Sequence, residues 1–391
     1  MNCDTERASL KELIPEQLFC VQDPLPTHGI VSITNRCNLA CPYCFHQQSD
    51  CDMTLETMEM TIRYLLSNAA RANRKASVSF FGGEPLLRFY DIIYPIVTKY
   101  GDAIEWSITT NGTLLTEQII DFCKNFNIVI LLSIDGCKNV QDIQRPLKDG
   151  NSSFDKLKNI IPYLLLKMPD TIFRSTITKF SLPYLKESME AAKNFGFRRI
   201  TLVPNLFEEW SAEDFYIWER FIDDEAIRLM QCLIWEEPFE YLLTNLTSGV
   251  SDLKIQEYNQ VLKLPCEGCG MGNYGIGVSP DGSLHPCQEE NGLNSINSIG
   301  NIYTGIDLKK HYDYHANINS QWLKFIETID NLPGSTNFKL FYANAYCSTR
   351  LKEGLAANIT QTHYMRALHK ACARLYAHYH HSLHPIANII F

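Results

Sequence analysis

A regular alternation of short β-rich runs and longer helical runs, which begins near residue 30, is the feature that most restricts how this chain folds. Six runs rich in Val, Ile, Phe or Thr are predicted strands, at Ile30–Thr34, Ser77–Phe81, Ile104–Thr110, Ile128–Ile134, Ile172–Thr178 and Arg199–Val203. Helix-length segments lie between them, at Leu55–Ala70, Leu114–Phe126, Ser153–Leu166 and Leu182–Phe195. Such alternation produces a parallel sheet with right-handed crossovers. We therefore predict an α/β fold in which the six units form a partial (β/α)6 barrel.

This 391-residue chain has fourteen cysteines and a formal net charge of −9, and both numbers restrict the classes of function that it can have. A chain of this length suggests about two or three domains. No apolar run approaches the roughly 20 residues that span a bilayer, and the N-terminus is no signal peptide, so we expect a cytoplasmic protein without a membrane partner. Thiols stay reduced in the cytosol, so the cysteines indicate metal or redox chemistry. The acidic balance argues against a nucleic-acid partner, because phosphate contacts need a surplus of Lys and Arg.

The composition changes after the sixth predicted strand and suggests four segments. Residues 1–29 form an N-terminal segment, 30–206 the barrel, 207–240 an acidic helical connection, and 241–391 a second domain. The connection carries eleven acidic groups against two arginines, so its local balance of −9 equals that of the whole chain. We predict a solvated helix pair there. The second domain is expected to be loop-rich and to end in a helix-like tail.

Cys37, Cys41 and Cys44 directly follow the first predicted strand, in the spacing C-x3-C-x2-C, and are the candidate catalytic residues. Three thiolates can hold three irons of a 4Fe–4S cluster, and a fourth would saturate it. A missing fourth ligand leaves one iron open to a substrate or cofactor, as in an open catalytic zinc site. The alternatives are a chance group of cysteines and a zinc knuckle that lacks its fourth ligand. We favour the iron–sulfur site, because barrel enzymes place their chemistry at the carboxyl ends of strands.

The triplet and its position after a strand resemble the radical S-adenosylmethionine (SAM) superfamily. The resemblance implies a cluster whose open iron binds the amino and carboxylate groups of SAM. Reductive cleavage of SAM then gives a 5′-deoxyadenosyl radical that abstracts a hydrogen atom, while the protein supplies position and excludes water. It also implies an electron donor, such as a reductase, a flavodoxin or a ferredoxin. Tyr43 and Phe45 match the family's aromatic positions near the adenine.

Residues at the later strand ends extend the resemblance, which implies that they bind SAM. The family's GGEP motif, which binds the SAM amino group, corresponds to Gly82, Gly83, Glu84 and Pro85. The polar positions around the methionyl and ribose groups correspond to Thr109, Asn111, Ser133 and Asp135. Arg145 corresponds to an arginine that pairs with the SAM carboxylate, with an ordinary surface salt bridge as the alternative. Leu202 and Val203 hold the position that packs on adenine, with plain core as the alternative.

The second domain contains a cysteine set that resembles the opening of a SPASM or twitch extension of radical SAM peptide modifiers. Pro280-Asp281-Gly282 predicts a tight hairpin that presents Cys287. Five cysteines lie beyond residue 265, enough for one auxiliary 4Fe–4S cluster ligated by thiolates alone. Its assigned ligands are Cys266, Cys269, Cys287 and Cys347, with Cys372 or His363 as substitutes. Zinc in the same site is the alternative. We therefore expect a C-terminal α+β auxiliary-cluster domain after the barrel.

These motifs predict a radical SAM peptide maturase, with a ribosomally made peptide as its substrate and partner (RiPP maturation). Hydrogen abstraction would leave a crosslink, a thioether or an epimerised residue. A second hypothesis is an anaerobic sulfatase maturase that forms formylglycine. That family usually carries an aspartate base directly after the hairpin cysteine, where this chain has Gln288, which cannot ionise. A non-catalytic zinc or iron–sulfur protein on a barrel scaffold is the third hypothesis, and a radical SAM enzyme acting on a small molecule is the fourth.

Overall fold

A computed structural model describes residues 23–205, 208–235, 237–246, 272–290, 298–330, 367–368, 370–372 and 375. Within these residues, eleven strands form one continuous sheet. In chain order they are β1 His28–Thr34, β2 Ala76–Gly82, β3 Ile104–Thr110, β4 Val129–Ser133, β5 Ile172–Ile177, β6 Arg199–Pro204, β7 Leu242–Leu243, β8 Gly275–Val278, β9 Ser283–His285, β10 Gly300–Asn301 and β11 Gly305–Ile306. Their order across the sheet is β11-β10-β9-β8-β1-β2-β3-β4-β5-β6-β7.

Strands β1 to β6 are parallel and lie side by side in chain order, which confirms the predicted partial barrel. Each strand lies within two residues of its predicted bounds. The apolar residues alternate along the strands, so that Val31 and Ile33 of β1 and Val78 and Phe80 of β2 are fully buried. The core therefore fixes the register of the strands, and with it the positions of the strand ends.

The helices of the described part cover the sheet between its strands. They are α1 Leu55–Ala72, α2 Tyr94–Tyr100, α3 Glu117–Asn125, α4 Lys138–Gln144, α5 Ser153–Lys167, α6 Leu185–Phe195, α7 Ala212–Trp235 and α8 Leu308–Asp330. Short helical turns occur at Pro85–Arg88, Phe89–Ile93, Gly101–Ala103, Leu182–Tyr184 and Gln288–Glu290. No helix in the part of the chain that the structure describes combines the length and the apolar character that a membrane crossing requires.

Side-chain caps and a left-handed glycine decide where several crossover helices begin and end. The Thr116 hydroxyl accepts the Ile119 N–H at 3.3 Å, so that α3 begins three residues later than predicted. Ser152 caps α5 in the same way. The predicted helix at 182–195 divides into a short turn and α6, which ends at Gly196 with a φ of 93°.

The acidic segment forms one long helix, α7, so the expected helix pair is wrong. Trp210 and Trp218 are buried in the main core, whereas Trp235 at the end of α7 is 71% exposed. One helix suffices because α7 buries an apolar face, which includes Ile222, and leaves acidic groups such as Glu213 and Asp224 exposed, whereas Glu225 is buried and paired with Arg228. Two of the three tryptophans of this segment, Trp210 and Trp218, therefore contribute to the barrel core.

The hairpin of the second segment belongs to the barrel sheet. β8 pairs in parallel with β1, where His28 lies opposite Gly275, and β9 to β11 follow as antiparallel neighbours. The predicted turn is present: the Ser283 N–H donates to Asp281 Oδ1 at 2.9 Å, and Gly282 has a φ of 83°. The turn between β8 and β9 therefore lies at the same end of the sheet as the loop after β1.

The 23-residue helix α8 lies in a segment whose pattern predicts loops. Its buried positions include His311, His315 and Ile318, which follow one another at helical spacing. Two of these three residues are histidines rather than apolar residues. The hydrophobic periodicity that identifies a helix is therefore weak in this segment, although the helical spacing itself is present.

Candidate functional site

The carboxyl ends of the barrel strands surround a cavity. Twelve of the residues expected at a SAM site line it, namely Cys37, Cys41, Tyr43, Cys44, Phe45, Gly82, Gly83, Thr109, Asn111, Ser133, Arg145 and Val203. The four remaining expected residues, Glu84, Pro85, Asp135 and Leu202, are buried and are not part of the lining. Sequence positions spread over about 170 residues therefore meet at one place, as the parallel sheet requires.

The three cysteines lie on the loop after β1, which is held against residues 146–147. The Ala40 N–H donates to the Pro146 carbonyl at 2.9 Å, and the Leu39 N–H donates to Cys37 Sγ at 3.4 Å. Burial raises the pKa of Cys37 and raises that of Cys41 to about 12. Both thiols therefore keep their protons near neutral pH, and a bound metal is what would make them thiolates.

Gly82 and Gly83 bring the end of β2 into direct contact with the cysteine loop. The Gly83 N–H donates to the Thr34 carbonyl at 2.8 Å, and the Glu84 N–H donates to the Arg36 carbonyl at 2.8 Å. A Cβ on Gly83 would lie 2.1 Å from the Arg36 oxygen. A Cβ on Gly82, whose φ is 121°, would lie 2.3 Å from the Thr34 oxygen. Only glycine permits this approach, so the two glycines determine where the cysteine loop begins.

Glu84 is a buried carboxylate that connects the end of β2 to the end of β3. Its Oε1 accepts the Thr110 hydroxyl at 2.6 Å and the Leu86 N–H at 3.0 Å, and its Oε2 accepts the Asn111 N–H at 2.8 Å. Burial raises the pKa of Glu84 to about 7, although these three hydrogen bonds oppose the rise. Glu84 therefore does not line the cavity itself, but its hydrogen bond fixes the main chain at Asn111, which does.

Asp135, just after β4, connects three parts of the site. Its Oδ2 accepts the Tyr43 hydroxyl at 2.6 Å and the Gln144 amide at 2.8 Å. Its Oδ1 accepts the Thr176 N–H at 2.9 Å and lies 3.0 Å from Nη2 of Arg145. A single buried carboxylate thus joins the cysteine loop, β5 and the end of α4.

Arg145 faces the cavity and is mostly buried, with 11% of its side chain exposed. The surface salt bridge that the sequence left open therefore does not describe it. Its guanidinium carbon lies 5.5 Å from the centre of the Tyr43 ring. Its Nε is buried and has no hydrogen-bond partner among the described residues. Because a buried donor without an acceptor is unfavourable, this N–H suits an anionic group of a ligand.

Several lining residues were not expected from the sequence, among them Arg174, Thr176, Asn205 and Glu289. Arg174 and Thr176 are two positions apart at the end of β5, so the strand period identifies them in retrospect. Burial lowers the pKa of Arg174, and the charge of Glu289 opposes that effect. Glu289 has no such local signal, because the pairing of β8 with β1 brings it to the cavity.

This wall fits a 4Fe–4S cluster together with SAM. The three cysteines line one cavity, beside a glycine rim and the unpartnered Nε of Arg145. Within the described residues, no three His, Cys, Asp or Glu side chains are close enough to share one metal ion. A cluster does not need that closeness, because each thiolate binds a different iron.

The ligands assigned to the auxiliary cluster lie mostly outside the described residues. Cys266, Cys269 and Cys347, and the substitute His363, belong to that part of the chain. Cys287 is buried and lies two residues after β9. The substitute Cys372 is also buried, and its Sγ donates to the Leu246 carbonyl at 3.4 Å. The auxiliary ligand set therefore stays a prediction.

Comparisons with known proteins agree with this geometry. The sequence pattern of the radical SAM superfamily matches residues 31–181. The chain is 35% identical over 201 residues to protein MJ0907 of Methanocaldococcus jannaschii, across 46% of this chain and 68% of that protein.

The chain is also 27% identical over 210 residues to the radical SAM cyclopropyl synthase TigE of Paramaledivibacter caminithermalis, across 46% of this chain and 43% of that protein. It is 27% identical over 184 residues to the cysteine-type anaerobic sulfatase-maturating enzyme of Clostridium novyi, across 44% and 49% respectively. The chain thus spans less than half the length of the last two relatives.

The similarity of fold extends further along the chain. The structure of native anSMEcpe with bound AdoMet and Cp18Cys peptide has a TM-score of 0.68 at 20% identity, across 90% of this chain and 98% of that chain. A partial barrel with three cysteines after its first strand defines an enzyme that binds SAM at an iron–sulfur cluster. The chain belongs to the radical SAM superfamily, and SAM and a 4Fe–4S cluster are its cofactors.

Proposed function

We propose that this radical SAM enzyme modifies a peptide by abstracting a hydrogen atom from one of its residues. The observation that carries the proposal is the position of Glu289, a carboxylate from the second segment in the wall of the cavity that the three cysteines line. The substrate side of the cavity is therefore built by the extension as well as by the barrel. A cyclopropyl synthase and a sulfatase-maturating enzyme among the relatives, and a peptide in a protein of similar fold, support this substrate class.

In the proposed enzyme, Cys37, Cys41 and Cys44 hold three irons and leave the fourth for SAM. When bound, the cluster and SAM supply a 5′-deoxyadenosyl radical. The main-chain oxygens of the glycine rim accept from the SAM ammonium group, with Glu84 holding that rim in place. Arg145 donates from its unpartnered Nε to the SAM carboxylate, while Asp135 fixes the other side of its guanidinium.

The adenosyl part of SAM is assigned to the part of the lining that Phe45, Tyr43 and Val203 form. Phe45 is stacked at 17° on Phe81, with 6.4 Å between ring centres, and offers an aromatic surface for adenine beside Tyr43. Val203 lines the same cavity, whereas Leu202 is fully buried, which favours plain core for Leu202. The polar groups of Thr109 and Ser133 are assigned to the ribose and methionyl groups, together with Asn111.

We further propose an auxiliary 4Fe–4S cluster in the segment 241–391, ligated by Cys266, Cys269, Cys287 and Cys347, with zinc as the alternative. The burial of Cys287 directly after the hairpin supports it. The external electron donor is proposed to be a reductase, a flavodoxin or a ferredoxin, and the compartment the cytoplasm. The auxiliary cluster would offer a route for the electron that a radical product must release.

A second candidate, formylglycine formation on a sulfatase, is favoured by one observation. Gln288 cannot act as a base, but the next residue, Glu289, lines the cavity. The carboxylate absent from position 288 is thus present one residue later. This candidate shares the radical step with the first and differs in the peptide on which the enzyme acts.

The two candidates are separated by incubating the reconstituted enzyme without oxygen, with SAM and a low-potential reductant. One probe is the small peptide encoded beside the gene, and the other is a sulfatase-derived peptide with the cysteine that becomes formylglycine. We expect 5′-deoxyadenosine and a mass change in one of the two peptides. Formation of 5′-deoxyadenosine with neither peptide changed would contradict both candidates and favour a small-molecule substrate.

The cluster assignment has its own control. The triple variant Cys37→Ala/Cys41→Ala/Cys44→Ala should lose about four irons per chain and all cleavage of SAM. Cys51→Ala changes an exposed cysteine and should retain both. An unchanged iron content in the triple variant would exclude these three cysteines as the cluster ligands.

A further inference from the structure

Two histidines of α8 face the turn that precedes β8. His311 and His315 are 2% and 4% exposed, and their Nε2 atoms are 3.1 Å apart. The Nε2 of His311 also lies 3.0 Å from the Gly272 carbonyl oxygen and 3.1 Å from Asn273 Oδ1. Gly272 and Asn273 are themselves buried. The His311 nitrogen is thus surrounded by three other atoms that can each offer a lone pair to a ligand, namely His315 Nε2, the Gly272 carbonyl oxygen and Asn273 Oδ1.

Hydrogen bonds alone do not satisfy this arrangement. A neutral imidazole carries one proton on its two ring nitrogens. If the proton is on Nε2 of His311, three acceptors compete for a single N–H. If the proton is on Nε2 of His315, the lone pair of His311 accepts it and still faces the Gly272 carbonyl oxygen with no hydrogen between them, whichever way the Asn273 amide is turned. In either case lone pairs oppose one another in a buried place, which is unfavourable without a cation.

A metal ion would supply that cation, because the neutral imidazole binds metals through the lone pair of a ring nitrogen. Nitrogen and oxygen ligands at about 2.0–2.1 Å from a tetrahedral zinc ion are about 3.3 Å from one another. The observed separations of 3.0–3.1 Å from the His311 nitrogen are close to that value.

We propose that His311 Nε2, His315 Nε2, the Gly272 carbonyl oxygen and Asn273 Oδ1 form a binding site for a divalent transition-metal ion, with Zn²⁺ as its probe. The site contains no cysteine, and its four ligands differ from those assigned to the two iron–sulfur sites. A Cβ on Gly272 would lie 3.1 Å from His315 Nε2 and 3.4 Å from Cβ of Pro286, so the site adjoins the hairpin. The metal would fix α8 to the hairpin that carries Glu289 into the cavity.

The test measures zinc binding by the full-length protein after its iron–sulfur clusters have been reconstituted. The zinc absorption edge reports only the added ion, and its fine structure distinguishes N and O ligands at about 2.0–2.1 Å from sulfur at about 2.3 Å. We expect one zinc per chain in an N/O environment with imidazole scattering. The double variant His311→Gln/His315→Gln should lose this equivalent while keeping its iron. His28→Gln, which changes a partly buried histidine of β1, should keep both.

A second variant keeps the proposal testable if the double variant does not fold. Asn273→Asp replaces an amide whose Nδ2 has no hydrogen-bond partner among the described residues, so no hydrogen bond of that nitrogen is lost. The added negative charge should tighten zinc binding by about tenfold or more, because ligand charge raises the affinity for a divalent ion. The proposal would be overturned if zinc bound through sulfur alone, or if it bound wild type and Asn273→Asp with equal affinity. His311 and His315 would then be a hydrogen-bonded pair and no metal site.

Discussion

The Tyr43 hydroxyl donates a 2.6 Å hydrogen bond to Oδ2 of Asp135, although the two residues are 92 positions apart in the chain. Tyr43 lies between Cys41 and Cys44, and Asp135 lies just beyond β4. The position of the thiols therefore depends on a buried carboxylate at the end of another strand. Because Asp135 also pairs with Arg145, it links the cysteine loop to the guanidinium that is assigned to the SAM carboxylate.

Removal of the Asp135 charge should destabilise the fold strongly. Asp135→Asn leaves Arg145 as a buried cation without its counter-ion, which is expected to cost about 3–5 kcal/mol of unfolding free energy. Urea denaturation of the cofactor-free protein measures this. The matched control is Asp155→Asn, whose partner Lys138 is 52% exposed, and it should cost about 1 kcal/mol or less. Equal losses in the two variants would contradict the buried pair.

Substitution of Gly83 should displace the cysteine loop. Gly83→Ala places a Cβ 2.1 Å from the Arg36 oxygen, so the loop that begins there has to move. We expect a loss of most of the cluster iron after reconstitution, measured by iron and sulfide analysis. Gly150→Ala is the control, because a Cβ there meets nothing within 4 Å and costs only about 1 kcal/mol of left-handed strain. Full cluster content in Gly83→Ala would contradict the proposed contact.

Glu84 should give the cofactor-free protein a specific dependence of stability on pH. Burial raises its pKa from the ordinary 4.5 to about 7, so between these values the folded protein holds a proton that the unfolded chain has released. Its contribution to the unfolding free energy is therefore complete below about pH 4.5 and is lost as the pH rises through about 7. In Glu84→Gln the unfolding free energy should fall less steeply over that range.

The comparison is made by urea denaturation of both proteins at several pH values. Glu187→Gln, at an exposed position of α6, should retain the wild-type dependence on pH. Parallel pH profiles for wild type and Glu84→Gln would refute the raised pKa of this group.

Substitution of Glu289 should reduce the formation of modified peptide without reducing the cleavage of SAM. As a proton acceptor in the cavity wall, it is expected to supply about 10²–10⁴-fold in the formation of product. Glu289→Gln should therefore still form 5′-deoxyadenosine, with modified peptide reduced by about 10²-fold or more. Mass spectrometry of both products measures this uncoupling, with Glu187→Gln as the exposed control. Unchanged peptide yield would exclude Glu289 as the base.

The barrel strands were predictable because each buried strand is a local pattern of apolar residues that ends at a polar or glycine position. Cys37, Gly83 and Asn111 follow such ends, and the parallel arrangement brings them to one cavity. The helix α8 was not predictable in this way, since histidines occupy two of its buried positions. Glu289 was missed because no local pattern shows that β8 pairs with β1.

The amino-acid sequence by itself determined the parallel barrel, the three-cysteine loop and the superfamily, because these depend on short spacings and on hydrophobic periodicity within single elements. The tertiary structure decided which groups act together. It paired Asp135 with Tyr43 and Arg145, raised the pKa of Glu84 by burial, and brought Glu289 to the cavity and His311 to His315. Charge pairing and desolvation depend on distances between distant parts of the chain, and only the folded sheet sets those distances.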